Sequence, residues 1–559
     1  MTVNYLIEKE YFSRRLEYVI RIISHRLGYP FRLISDIKNI DEGDITIAYN
    51  TINNLPQQGR HIEINIFNSR QLTQLDDAEK IINLFEWNGY SLPVLGTRLE
   101  NKDLSGYKRT DEGYYYRKSK SNTWIIASDI FLNVFYHLSR YEEKWRHFTE
   151  ETATDYSTSI LSRHQNLKVP VVDVLMSFLD RLIRSRIIYD KKIGVKLLPW
   201  PGGEDMGVAL THDVDITRGS PFRDRVLKIG RGYIDKILGK TDSLAAAKAE
   251  IREKDSLTWN LPELVKIYNS LEWKVTFFFI AKIIEGTHVR YNIFSRRFRR
   301  LFEELSDNLH EIALHPSKFA FDKPRSYRDE KEKLESASGQ KIEGMRQHYL
   351  RAKFPRLWGF TERAALAYDS SLGYNYQAGF RAGTCHPFKT YDVFEDKPLA
   401  VTEFSLHFFE NNLPDPGEDD ESAKQIITDL VREVATHKGL LVGLLHPSNF
   451  GQEKYRNLWN HLISALKKEK VFVTSLRNHL EWQRILERIK IHLTDQDKDR
   501  PLLTISLPSG TKKITFELIG NFKPDDTKRL KIIDIGEGCY TILTESQRLA
   551  IPFHKRDRG

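Results

Sequence analysis

Cysteine is almost missing from this chain: 559 residues contain two, Cys385 and Cys539, far apart in sequence. That excludes a disulfide scaffold and any cysteine metal or redox motif, and it fits a reducing compartment. Long apolar runs are missing as well. The longest candidates, VTFFFIA at 275–281 and LLVGLL at 440–445, are strand-sized and far below the ~18 residues of a membrane span. The first residues, MTVNYLIEKEYFSRR, lack the apolar stretch of a secretory signal, so a cytoplasmic location is the expectation. There is no internal repeat and no low-complexity tract. A strong charge bias is absent too, with 85 basic residues against 76 acidic ones, a net +9. That excess admits a polyanionic partner, but no nucleic-acid-binding motif accompanies it, and nucleic acid is set aside as a partner.

A chain of this length implies two or three domains. Residues 1–195 mix helical and strand patterns and carry no catalytic spacing, which reads as an α+β domain of unknown role. YFSRRLEYVIRIISHRLG (11–28) has apolar residues at helical intervals and stops at Gly28. DITIAYN and HIEINIF are strand-like, and WIIASDIFLNVFYHLSRYEEKW and PVVDVLMSFLDRLIRS are helical. After the loop LLPWPGG, residues 196–489 alternate strands with amphipathic helices. The strands are VALTHDV, KVTFFFIA, EIALH, IEGMRQHY, AGFRAG, AVTEFS, LLVGLLH and VFVTS. The helices lie near 261–272, 294–307, 327–336, 361–367, 422–437, 452–468 and 475–488. Such alternation predicts an α/β fold, an irregular (β/α) barrel with its chemistry at strand C-termini. Residues 490–559 break into short strands between Gly, Pro and Asp turns, a small all-β domain.

Segment 217–240 holds seven basic and two acidic residues. It reads either as a solvated insertion or as a basic amphipathic helix making peripheral contact with an anionic polymer or membrane. Gly230, Gly232 and Gly239 weigh against the helix.

Chemistry concentrates in three phrases. VALTHDVD (208–215) is an apolar strand delivering Asp213 and Asp215 to its end, beside Thr211 and His212. Residues two apart share a face of a strand, so both carboxylates converge. Their repulsion is explained by a cation together with a proton-transfer role. HEIALHPS (310–317) ends a second strand in His315, and LLVGLLHPSNF (440–450) ends a third in His446. Two different strands that finish in the same Leu-His-Pro-Ser phrase place both histidines on one rim. Imidazole is a common nitrogen ligand for zinc and similar ions.

These phrases resemble the NodB-homology polysaccharide deacetylases, the family-four carbohydrate esterases, over about half of the chain. The resemblance implies that Asp213 is the catalytic base, that Asp215 binds a divalent metal, and that His315 in HEIALH is the first metal histidine. It further implies that Arg346 in GMRQHYLR orients the base, that Asp369 in AYDSSLGY (367–374) belongs to the site, and that His446 is the catalytic acid. The activity implied is hydrolysis of N-acetyl or related acyl groups on a carbohydrate, with zinc as the ion the ligand set suits best.

The chain departs from the family at its second metal histidine. Four residues after His315 stands Phe319, which cannot bind a metal. His348 is the substitute we expect, because it lies two residues beyond Arg346 and would share its face in an extended strand. His310, His386 and His407 are its competitors. Two other functions fit the same sequence, namely an inactive deacetylase-fold module that binds glycan and a metal-dependent deacylase of a non-carbohydrate substrate.

Overall fold

The structure is a computed structural model of residues 1–559. It describes all of them except 42–43, 51–61, 73–74, 79, 100–106, 111–114, 118–120, 145–158, 218–221, 239–242, 257, 283–290, 495–500, 512, 521, 526–530, 537–538, 544–545 and 556–559. At its centre is a mixed α/β unit whose ten-stranded sheet curls into a half-barrel. Strand Met206–Val214 sits in the middle, parallel to Thr276–Phe279 on one side and to Leu440–Leu444 on the other. Beyond Thr276–Phe279 follow Glu311–Leu314, Gly344–Met345, Tyr368–Asp369 and Lys397–Glu403, all parallel. Strand Phe388–Asp392 closes that edge antiparallel.

The central strand is buried along its whole length. Strands covered on both faces read as continuous apolar runs, and its opening residues do. Alternation then sorts its side chains. Val208, Leu210 and Val214 join the large core under the helices, whereas Ala209 joins a smaller cluster with Phe278, Ala313, Val442, Leu444 and Phe404 inside the curl. Thr211, Asp213 and Asp215 follow Ala209 in parity, and His212 does not. His212 instead bonds the Leu445 carbonyl and the Tyr268 hydroxyl on the helix side. The bottom of the curl is plugged by Glu311, which accepts from Thr276 Oγ1 and Tyr368 Oη. Gly344 is required there, because a Cβ would stand 1.7 Å from the Tyr368 ring.

Helices form close to where periodicity places them, for example Leu261–Ser270, Pro324–Ser338, Asp420–Thr436 and Leu476–Arg488. AGFRAG is not a strand. Gly379 and Gly383 have φ of 153° and 64°, conformations open to glycine and foreign to a ladder. IEGMRQHY contributes only Gly344–Met345 to the sheet, and His348 begins a short 3₁₀ turn. Segment 222–237 is helical despite its glycines.

The N-terminal region carries a seven-stranded sheet covered by helix Arg14–Leu27 and helices Ile130–Leu138 and Val171–Tyr189. The Ser13 hydroxyl caps the first helix by accepting from Leu16 N, and Gly28 ends it at φ 76°, a left-handed stop. The stretch WII belongs to strand Ser121–Ile126 rather than to the helix that follows. A buried ion cluster joins this region to the half-barrel. Glu143 lies 2.7 Å from Arg140 Nη2 and 2.6 Å from Arg381 Nη2, and Arg140 also donates to the Arg381 carbonyl. The C-terminal strands form two small sheets. Strand Gly194–Leu197 pairs antiparallel with Lys513–Ile519 of one of them, so it crosses the boundary read at residue 195.

Candidate metal centre

Strand parity and parallel register bring the chemistry to one place, the C-terminal mouth of the curl. Asp213 and Asp215 leave the central strand on its inner face. One strand beyond its neighbour, His315 follows Glu311 and Ala313 in the same parity. His446 stands two residues past Leu444 on the opposite neighbour. The result is that His315 Nε2 lies 3.2 Å from Asp215 Oδ1 and 3.7 Å from Asp213 Oδ2. His348 Nε2 lies 3.5 Å from Asp215 Oδ2, and His446 Nε2 lies 3.6 Å from the same oxygen.

Ligand-capable atoms of Asp215, His315 and His348 all fall within 4.8 Å of one another. One carboxylate and two imidazoles are a donor set suited to zinc or a similar ion. The orientation of His315 fits as well. Its Nδ1 is 2.6 Å from the Arg346 carbonyl and must carry the proton to donate there, which leaves the Nε2 lone pair turned toward Asp215. Among the described residues, the carboxylate oxygen nearest His315 Nε2 in this group is Asp215 Oδ1, at 3.2 Å. Burial pulls the His315 pKa down, but the Asp213 and Asp215 carboxylates outweigh it and raise the pKa above its ordinary value. A cation placed among these groups would compete with that proton.

Arg346 is fixed on every side. Its Nη1 donates to Thr211 Oγ1 at 2.6 Å and to Asp213 Oδ1 at 3.1 Å, while Nε and Nη2 donate to the Ser370 carbonyl and hydroxyl. Thr211 passes its own proton to the Gly443 carbonyl, and the guanidinium lies 4.6 Å from the centre of the Phe278 ring. Asp213 is thus held by a buried guanidinium fixed in place by its other partners.

His446 is positioned by Glu410, a residue the sequence reading does not single out. Glu410 Oε1 accepts from His446 N, His446 Nδ1 and Asn449 Nδ2 at 2.9, 2.7 and 2.7 Å. Burial disfavours the charged imidazole, yet the Glu410 charge and hydrogen bond, helped by Asp215 and Asp213, raise the His446 pKa to about 10. Tyr349 forms part of the rim. It sits in the left-handed region at φ 61°, half exposed, with its ring stacked 4.2 Å from that of His348.

Of the residues read from sequence, Asp213, Asp215, His315, Arg346, His348 and His446 come together. Asp369 does not. Its strand parity turns it to the helix side, where Ser371 Oγ donates to it. Glu403 stands beside it and accepts from Trp358 Nε1. Burial raises both carboxyls, Glu403 further because the Asp369 charge adds to it. Ser370, the next residue, is the one that reaches Arg346. The competing histidines are engaged elsewhere: His310 Nδ1 accepts from Val275 N and His407 Nδ1 from Val442 N.

His386 belongs to a second group, with Asp173 and Cys385, and that group is satisfied internally. Asp173 accepts from Thr384 Oγ1, Cys385 N and Cys385 Sγ, and His386 Nε2 bonds the His437 carbonyl. Burial pushes the Cys385 thiol well up, which keeps it protonated and a poor ligand.

Comparison with known proteins adds three observations. Residues 5–188 match a family of unknown function, DUF7033. No curated protein matches the chain. Among solved structures, Agd3, described as a novel carbohydrate deacetylase, aligns at 8% identity over 99% of both chains with a TM-score of 0.38. Puue allantoinase aligns at 13% identity over 51% of this chain and 92% of its own, at 0.36. A probable polysaccharide deacetylase from Pseudomonas aeruginosa PAO1 aligns at 12% identity over 53% and 96%, at 0.35. Scores this low leave the function to be read from the site.

Proposed function

We propose that this chain is a metal-dependent hydrolase that removes acetyl or related acyl groups from the nitrogen of a carbohydrate. The observation that carries the reading is the convergence of Asp215, His315 and His348 within 4.8 Å, flanked by a carboxylate locked to an arginine and a histidine locked to a glutamate. Two buried carboxylates of which only Asp213 is paired with a guanidinium are an unfavourable arrangement that a divalent cation relieves. The carbohydrate as substrate rests on the resemblance of the phrases at 208–215, 310–315 and 440–446 to family-four carbohydrate esterases.

In this reading Asp215, His315 and His348 hold the ion, and the chemistry such an ion supplies is a lowered pKa for water and a polarised amide carbonyl. Asp213, paired with Arg346, accepts a proton from the attacking water. As the new carbon–oxygen bond forms and the carbon–nitrogen bond breaks, His446 gives its Nε2 proton to the departing amine. Glu410 accepts from His446 Nδ1–H and steadies the imidazolium before transfer. The products are a carboxylate and a free amine on the sugar.

The test is metal analysis of the purified chain combined with acetate release from N-acetylated chito-oligosaccharides, with and without added zinc. About one ion per chain and metal-dependent acetate release support the proposal. Bound ion with no acetate from any acylated glycan would indicate a binding module instead.

A further inference from the structure

We infer that helix Phe222–Ile237 is a docking surface for an anionic phospholipid bilayer. The helix leaves its apolar side in water: Ile237 is 83% exposed, and Val226, Leu227, Tyr233, Ile234 and Leu238 are each more than half exposed. At 100° per residue, 226, 233 and 237 fall along one line and 227, 234 and 238 along the adjacent one, so the six form a single stripe. Gly230 lies within that stripe with open space beside it. The partner helix, Ser243–Ser256, covers the other side. There Gly232 approaches so closely that a Cβ would stand 2.9 Å from Leu244 Cα, and Lys228 pairs with Glu250. This hairpin therefore packs its glycine side and presents its apolar side, the reverse of a helix packed on a globular core.

Charge decides the occupant. The helix holds five Arg or Lys residues against two Asp, and Arg231 and Lys236 are exposed outside the stripe. A second copy docking through the same face would oppose like charges, since a twofold contact sets the same patch against itself. An anionic bilayer accepts both the stripe and the cations, the combination that defines an interfacial helix. The helix begins seven residues after Asp215, which keeps its start within about 25 Å of the metal centre by chain length. Docking there sets the mouth of the half-barrel beside the membrane, where an amphiphilic glycan would be presented.

The experiment is co-sedimentation of the full chain with vesicles of phosphatidylcholine alone or mixed with phosphatidylglycerol. The wild type should partition onto the mixed vesicles at least about tenfold better than onto the neutral ones, and Ile234→Glu with Ile237→Glu should lose at least about tenfold of that binding. Arg231→Gln with Lys236→Gln should weaken it and flatten its salt dependence. Asp213→Asn should bind as the wild type does, which separates docking from catalysis. Circular dichroism and thermal unfolding of the exposed-site variants should match the wild type. Absence of wild-type binding, or equal binding by the Ile234→Glu, Ile237→Glu variant, overturns the inference. So does a dimer in sedimentation that this variant makes monomeric without any effect on vesicles.

Discussion

His446 donates a hydrogen bond from Nδ1 to Glu410 Oε1 across 2.7 Å, and its Nε2 lies 3.6 Å from Asp215 Oδ2. Glu410 is a positioning residue in this account, and pH dependence separates that role from a merely structural one. The carboxylate holds the His446 pKa up, so Glu410→Gln should lower it and move the basic limb of the rate profile to lower pH. Turnover should fall about 10- to 100-fold with metal content unchanged. His446→Ala should keep the ion and lose about 100- to 10,000-fold. A Glu410→Gln profile that is scaled down but not displaced would remove Glu410 from the mechanism.

The two aspartates should separate. Asp213→Asn is expected to abolish hydrolysis while metal content stays near that of the wild type, because the proposed role of Asp213 is to take the proton of the attacking water while Arg346 holds it. Asp215→Asn should lose both ion and activity. Metal analysis of the two variants beside their acetate release checks this, and equal loss of metal in both would contradict the division of roles.

Much of the site was legible because strand alternation is local information. VALTHDVD puts Thr211, Asp213 and Asp215 on one face whatever the rest of the chain does, and two Leu-His-Pro-Ser endings mark a shared rim. The missing histidine at Phe319 directs attention to His348, which lies beside Asp215 and His315 but stands on a 3₁₀ turn and not on a strand. Asp369 was misplaced because the phrase AYDSSLGY does not reveal which of Asp369 and Ser370 faces inward. That parity is set by pairing with Met345 and Glu403. Glu410 carries no local signal at all, since it meets His446 only through the parallel pairing of Phe408–Phe409 with Gly443 and Leu444. The same holds for Gly194–Leu197, whose partner strand lies more than 300 residues away.

Acid should weaken the junction between the N-terminal region and the half-barrel. Burial alone would raise the Glu143 pKa, but Arg381 and Arg140 overcome it and hold it at about 2 against an ordinary 4.5. A carboxylate held low contributes stability above its unfolded pKa and loses it as pH falls through the folded one. That contribution is therefore present at pH 7 and disappears between about 4.5 and 2. Glu143→Gln should cost about 3 kcal/mol at pH 7, and the wild-type and variant stabilities should converge toward acid. Denaturant unfolding across that range checks it, and a constant gap between the two would refute the assignment.

The central claim is that Asp215, His315 and His348 bind the ion, and X-ray absorption at the zinc edge on the zinc-loaded chain tests it most directly. The account predicts only nitrogen and oxygen neighbours at about 2.0–2.2 Å, including two imidazoles, and an occupancy that collapses in His348→Ala. A sulfur neighbour at about 2.3 Å would move the ion to Cys385, and an unchanged first shell in His348→Ala would remove His348 from it; either result contradicts the account.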